Sequence, residues 1–289
     1  DNLKNNISVI ENSLDVDSTI WWLAYCNAFV TLDSYLGNST HNYYMYRDHN
    51  KRFNPIIWDL NGAIGIFAKA DFGPTLTIPQ MENMSPMLHS NDTSWPLVRN
   101  LMAIPMYKRM YIAHMKTLMN ENIATGTYSV YAQALQAIAD TAVFSDPYKF
   151  CTYTQFQSSL TNTVILGPKT VPPIIPFMNA RLANLNATTE FLQVAPTVTN
   201  ILVSNSTPSV SSNVFITTDV TNANAVYIGY RYSKMERFRR YQMLDDGLNG
   251  DGGAGDGKYG LSVPVNSLQV QYFIYAENIN ALYTSLSKE

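Results

Sequence analysis

The chain is poor in charged residues and in cysteine. Only 14% of its 289 residues are Asp, Glu, Lys or Arg, and the formal net charge is −3. A chain of this charge lacks the positive surface that binds nucleic-acid phosphates, so we expect no nucleic-acid partner. Its two cysteines, Cys26 and Cys151, are too few for a disulfide framework, although a single bond between them stays open.

Long apolar runs and short metal-binding spacings are missing too. No apolar run reaches the ~20 residues that a membrane-spanning helix needs, so we expect no membrane span in this chain. No HxH, CxxC or HExxH spacing indicates a zinc-type site. What is abundant is hydrophobic residues, at 46%, together with 19 Tyr and many Asn, Ser and Thr. A surface rich in uncharged polar residues is typical of a secreted, cell-surface or periplasmic bacterial protein, and we expect that localisation.

Residues 15–67 are the stretch around which the rest of the chain is organised. Residues 20–30 form an almost continuous apolar run that follows Asp17 and Ser18, two good helix N-cap residues. A helix that is apolar on every side is a buried helix. The run predicts a buried helix that ends near Thr31 in a polar loop containing Asp33.

Two tyrosine- and isoleucine-rich segments, 41–47 and 52–58, predict a β-hairpin after this loop. With a two-residue turn at 49–50, Asn42 would face Ile57 and lie beside Asp59, near Asp33. Two carboxylates and an amide oxygen are hard oxygen ligands that suit a magnesium ion. Protein kinases use the same order of acid, Asn, hairpin and second Asp, although the HRD and DFG triplets are absent here.

The segments LDVDS, LDSYLGNSTHNYYMY and IIWDLNGAIGIF closely resemble the CotH family, the bacterial spore-coat-H-like proteins. Members carry a "D-x-Y-x-G-x-x-HNYYLY" stretch followed by "PWDLNxAFG", whose aromatic residue is Ile64 in this chain. The resemblance implies an atypical secretory-pathway kinase that phosphorylates Ser on protein substrates with ATP and Mg²⁺. It further implies that Asp33 is the catalytic acid/base-position residue, that Asp59 binds the metal, and that Asn42 is a metal or phosphate ligand.

The periodicity of the sequence predicts two domains in a multi-domain α+β chain. Residues 1–193 are predicted to be mostly α-helical with one hairpin, and the helix over 94–120 splits at Pro105. The resemblance implies that this domain is a kinase-like C-terminal lobe. A helix over 129–144 is predicted to carry Tyr131, Leu135 and Ile138 on one face. The resemblance implies that the nucleotide-facing N-terminal lobe lies upstream and is absent from this chain.

Residues 194–289 change from helical to strand periodicity. Six or seven short strands joined by Asn, Ser and Gly turns predict an immunoglobulin-like or fibronectin-III-like sandwich. A glycine-rich loop from Asp245 to Asp256 has the composition of a calcium (Ca²⁺) loop, but it fails the EF-hand pattern. A non-EF calcium site and a tight connection between strands both remain open.

Two hypotheses of different class follow. In the first, the chain is the C-terminal part of a secreted CotH-like kinase that acts on Ser in a protein substrate and is inactive as this fragment. In the second, it is a cell-surface binding, adhesion or structural protein. The kinase-like body then serves as a scaffold, and the sandwich contacts a surface glycan or a protein partner.

Overall fold

The computed structural model of the chain describes residues 7–284. The chain divides into two units, Asp1–Leu192 and Gln193–Glu289. The first is helical with two small hairpins, and the second is built of antiparallel strands, which confirms the predicted fold class. Within the described range, none of the helices combines the length and the apolar character needed to cross a membrane.

Eight α-helices are described in the first unit. They are α1 (Val16–Ala28), α2 (Ile78–Glu82), α3 (Pro96–Met102), α4 (Pro105–Leu118), α5 (Thr127–Ser145), α6 (Tyr153–Ser158), α7 (Ile174–Asn186) and α8 (Thr189–Leu192). Its hairpins are β1 (Tyr43–Arg47) with β2 (Phe53–Ile57), and β3 (Val164–Leu166) with β4 (Lys169–Val171). The β3–β4 hairpin was not predicted, so the expectation of one hairpin is incomplete.

Helix α1 is the centre of the first unit. It begins after Asp15, whose carboxylate accepts the backbone N–H of Ser18 at 3.1 Å, so the cap lies before the predicted residues. Ile20 and Ala24 are completely buried, and the helix packs against α4. The predicted buried helix is confirmed. Cys26 lies in it, and burial raises the pKa of the Cys26 thiol to about 12.

The β1–β2 register differs from the prediction by one residue. Tyr43, and not Asn42, faces Ile57. Asn42 lies opposite Trp58, because its carbonyl accepts the Trp58 N–H at 3.1 Å. Asp59 is the residue after Trp58, so it lies just beyond the end of the hairpin.

The cause of this shift is the length of the turn. Asp48 donates its backbone N–H to the Arg52 carbonyl at 2.9 Å, so three residues form the loop and not two. The last of them, Lys51, has a φ of +64°. A turn that ends in a left-handed residue is the usual form of a three-residue hairpin loop, and it adds one residue to the count.

Helix α5 presents its predicted apolar face to solvent. Tyr131 is 67% exposed, Leu135 65% and Ile138 80%. The opposite face packs against α6, where Gln136 donates to the Phe156 carbonyl at 2.7 Å. The sequence therefore predicted the helix correctly, while the half-buried face is a mixed one that includes Ala132, Gln136 and Val143.

The second unit has seven described strands. They are β5 (Thr197–Val203), β6 (Asn213–Thr221), β7 (Ala225–Arg231), β8 (Arg239–Met243), β9 (Lys258–Pro264), β10 (Gln271–Glu277) and β11 (Leu282–Thr284). They form a three-stranded sheet in the order β5-β6-β9 and a four-stranded sheet in the order β11-β10-β7-β8. Val214 and Val263 of the first sheet share one core with Ile228 and Ile274 of the second.

Candidate functional site

Asp33 lies on a loop that leaves the core directly after α1. The side chains of Leu32 and Ser34 on either side are buried, with 0% and 3% exposed. The Ser34 hydroxyl donates to the Thr31 carbonyl at 2.5 Å and accepts the Leu36 N–H at 3.2 Å. These contacts fix the loop backbone, while the Asp33 side chain keeps 19% of its surface exposed. The carboxylate is thus held by a rigid loop and remains accessible.

His41 and Asn42 contact Asp33 at two different places. The Asn42 side-chain amide donates to the Asp33 backbone carbonyl at 3.0 Å, and His41 Nε2 lies 3.3 Å from Asp33 Oδ1. Asn42 adopts a left-handed backbone with a φ of +59°. His41 was not among the predicted site residues. It immediately precedes Asn42 in the HNYY stretch, and that position was the only signal in the sequence.

The turn that begins at Asp59 lies against the same carboxylate. Asp59 is exposed, has a φ of +51°, and precedes the 3₁₀ turn Leu60–Gly62. A Cβ atom on Gly62 would lie 2.6 Å from Asp33 Cβ and 2.8 Å from Asp33 Oδ2. Only glycine permits so close an approach. The structure therefore brings Asn42 and Gly62 of the Asp59 turn to Asp33. The register of the β1–β2 hairpin that produces this arrangement differs by one residue from the predicted register.

Two strained residues flank these segments. Val30 and Ile64 are β-branched and have φ values of +48° and +56°, which are outliers for such side chains. They are joined by paired backbone bonds, because Ile64 donates to Phe29 at 3.0 Å and Gly65 donates to Val30 at 3.1 Å. Backbone strain of this kind is typical of functional sites.

The donor atoms at this site suit magnesium. Mg²⁺ is usually held by one or two carboxylates together with water and substrate phosphates. Asp59 carries a carboxylate, and Asn42 carries an amide oxygen whose partner nitrogen is bonded to the Asp33 carbonyl. Among residues 7–284, no three or more His, Cys, Asp or Glu side chains are grouped to hold a metal ion. Metal binding by Asn42 and Asp59 therefore stays a prediction.

In the glycine-rich loop of the second unit, the carboxylates of Asp245 and Asp256 bond to the loop itself, whereas Oδ1 of the completely buried Asp251 has no hydrogen-bond partner among the described residues. Asp245 accepts the backbone N–H groups of Gly255 and Gly257 at 2.7 and 2.9 Å, and Asp256 accepts that of Gly253 at 2.9 Å. These bonds support the interpretation as a tight connection between strands. Calcium binding between Asp245 and Asp256 stays a prediction.

The disulfide that the sequence left open is not formed. Cys26 and Cys151 are both free thiols. Cys26 is buried in α1, whereas Cys151 is partly exposed. The first unit is therefore held by its core and hydrogen bonds, with no covalent link between these two cysteines.

Comparison with protein-family models matches residues 2–166 to the family described as CotH kinase protein. The match covers more than half of the 289 residues, and the chain belongs to the CotH kinase protein family. No curated protein matches the chain, and no solved structure does. The family assignment thus rests on the same part of the chain that carries Asp33, Asn42 and Asp59.

Proposed function

We propose that the chain is part of a secreted atypical protein kinase that transfers the γ-phosphoryl group of ATP to Ser on a protein substrate. The observation that supports this proposal is the convergence of Asn42 and the Asp59 turn on Asp33. The carboxylates and the amide belong to a chain of the CotH kinase family. A kinase family implies ATP and a divalent metal, and the oxygen donors fit Mg²⁺.

In the proposed reaction, Asp33 orients the Ser hydroxyl and accepts its proton. The bond from Ser Oγ to the γ-phosphorus forms as the bond from that phosphorus to the β,γ-bridging oxygen breaks, and ADP leaves. Asp59 and Asn42 would hold the Mg²⁺, which would neutralise phosphate charge. Kinases gain most of their rate from such positioning and charge stabilisation, which requires a rigid site.

Two substitutions separate these roles. Asp33→Asn removes the proton acceptor, so phosphoryl transfer is expected to disappear while MgATP binding stays. Asp59→Asn removes a metal ligand, so Mg²⁺-dependent nucleotide binding is expected to weaken as well. Transfer is measured as ³²P incorporation into a library of Ser-containing peptides, and binding by calorimetry.

The control is Asp146→Asn, an exposed residue whose carboxylate accepts only the Tyr148 N–H at 2.8 Å in the described structure. It is expected to leave both properties unchanged. Wild-type transfer by the Asp33→Asn variant would refute the assigned role of Asp33.

We further propose that the nucleotide-facing lobe lies outside this chain, so that the chain alone is inactive. MgATP is titrated into the 289-residue chain and into the full-length protein. Binding by the full-length protein alone supports the proposal. Tight binding by the isolated chain would contradict the missing-lobe proposal, and no binding by either protein would favour a scaffold role.

The second unit supports a separate proposal, that Gln193–Glu289 is an immunoglobulin- or fibronectin-III-like module that contacts a surface glycan or a protein at the cell surface. Its three- and four-stranded sheets share one core, as sheets do in such sandwiches. Retention of the protein on immobilised cell-wall glycan is expected to be lost when residues 193–289 are deleted. Equal retention of both forms would refute this proposal.

A further inference from the structure

The loop that carries Asp33 is held by a stacked histidine and tryptophan. The rings of His89 and Trp95 lie 3.6 Å apart between centroids and 4° from parallel. Trp95 Nε1–H donates to the Tyr35 carbonyl at 2.9 Å, and His89 Nε2 lies 3.0 Å from the Leu36 carbonyl. The two carbonyls belong to the second and third residues after Asp33, so the stack holds the backbone that aims this side chain.

His89 also contacts the segment that follows the other half of the site. Its Nε2 lies 3.1 Å from the Ala70 carbonyl, on the chain that continues from the Asp59 turn. One imidazole nitrogen is thus shared between a carbonyl after Asp33 and a carbonyl after Asp59. The His89 ring therefore links the segments after Asp33 and after Asp59, whose relative position the proposed function requires to be fixed.

The environment of His89 determines which ring nitrogen carries the proton. The side chain is 5% exposed, and burial lowers the pKa of His89 below its ordinary value. The bonds to the Leu36 and Ala70 carbonyls oppose this shift, as do Asp92, whose Oδ2 lies 3.7 Å from Nδ1, and Asp71. A neutral imidazole has one N–H, and carbonyl oxygens only accept hydrogen bonds, so the proton lies on Nε2. His89 has a φ of +61°, a conformation that surrounding contacts must hold in place.

We propose that His89 and Trp95 are positioning residues for Asp33, and this inference rests on the proposed function. The stack fixes the Asp33 loop through the Tyr35 and Leu36 carbonyls and couples it to the chain after Asp59. Neither ring needs to touch the substrate. Loss of either donor lets the Asp33 carboxylate move, which slows phosphoryl transfer without removing a nucleotide ligand.

The same unit contains a matched control. Trp21 and His114 form a second stack, with centroids 3.8 Å apart and planes 10° from parallel. His114 is also buried, but its Nε2 bonds to the Asp17 carboxylate at 2.8 Å. This stack has the same ring chemistry as the first and a hydrogen bond to a different part of the chain.

The test compares three substitutions in the full-length protein. Trp95→Phe keeps an aromatic ring and removes the Nε1–H donor, and His89→Met removes the Nε2–H donor. His89→Gln keeps an N–H donor on an unbranched side chain. We expect kcat to fall about 10- to 100-fold in the first two variants, as small misplacements of catalytic groups do. The Kd for MgATP should stay within twofold, and His89→Gln should recover part of kcat.

Hydrogen exchange supplies a readout that is independent of activity. The Gly37 amide bonds to Ser34 at 3.2 Å, and the Asn38 amide bonds to Lys69 at 3.2 Å. Both amides should exchange faster in Trp95→Phe and His89→Met, whereas the control His114→Met should leave their exchange and kcat unchanged.

Three results would overturn the positioning role. They are a kcat within threefold of the wild type in both variants, unchanged exchange of the two amides, or a loss of kcat in His114→Met of equal size. A wild-type protein without transfer would instead refute the proposed function, and an active wild type with active variants refutes only the positioning role.

Discussion

Replacement of Arg181 by Met is expected to destabilise the first unit strongly. Arg181 lies on α7 and is completely buried. Its guanidinium donates to Asn27 Oδ1 at 2.7 Å, to the Glu82 carbonyl at 3.3 Å and to the Met84 carbonyl. Burial lowers the pKa of Arg181 to about 10, so the group remains charged at neutral pH. No carboxylate is paired with Arg181 among residues 7–284.

The magnitude follows from the acceptors that lose their donor. Arg181→Met leaves Asn27 Oδ1 and the Met84 carbonyl buried without a partner, at a cost of about 1–3 kcal/mol each. The variant no longer buries a charge, which offsets part of that cost. We therefore expect the free energy of unfolding of the first unit to fall by about 2–4 kcal/mol.

The assay is urea unfolding followed by circular dichroism, with the transitions of the two units fitted separately because a chain of two units need not unfold in one step. The control is Arg99→Met, since Arg99 is partly exposed and donates to Asn100 at 3.2 Å. It should change the free energy by no more than about 0.5 kcal/mol. A loss below about 1 kcal/mol for Arg181→Met would refute the reasoning, because it would mean that the acceptors find other partners.

Three further predictions concern a loop glycine, an exposed helix face and a buried histidine. Gly37→Ala should destabilise the first unit by about 1–3 kcal/mol or more in urea unfolding, because its Cβ would lie 1.7 Å from the Leu32 carbonyl oxygen and must move by 1.3 Å to reach 3.0 Å. The double variant Leu135→Gln with Ile138→Gln should leave the thermal midpoint nearly unchanged, because both side chains of α5 are exposed. The free energy of unfolding should fall as the pH drops through about 6.5, the ordinary pKa of His, because the lowered pKa of His89 makes the unfolded state bind the proton first. In His89→Gln that part of the pH dependence should be absent.

Each of these predictions has a contradicting result. Wild-type stability of Gly37→Ala would show that the loop backbone adapts freely. A large loss of stability in the Leu135 and Ile138 variant would mean that this face is covered in solution. An identical pH profile for the wild type and His89→Gln between pH 7 and 5.5 would show that His89 does not contribute the proton linkage.

The elements that the sequence predicted well are those set by local chemistry. The apolar run of α1 predicts a buried helix, and Pro105 begins α4 because a proline fits the first turn of a helix but not its interior. The strands of the second unit follow from the period-two pattern and the turn residues between them.

What the sequence did not predict depends on contacts between distant residues or on a single backbone angle. The hairpin register changed because Lys51 takes a left-handed conformation, which lysine rarely adopts. The exposure of α5 could not be read from periodicity, because periodicity defines a face and not what covers it. His89 lies 53 residues from Leu36 along the chain, and no local pattern connects them.

The strained pair Val30 and Ile64 has a consequence for engineering. A β-branched residue with a positive φ costs about 1–3 kcal/mol, and Gly or Asn would adopt the same angles at lower cost. A search for stabilising substitutions would select Ile64 before Val30, because Val30 is completely buried and would lose its core contacts on replacement. They also join the backbones of the Asp33 and Asp59 segments. Substitutions selected for thermal tolerance at these two positions would reduce the rigidity that the site needs. Variants at these positions should therefore be screened for turnover as well as for melting temperature.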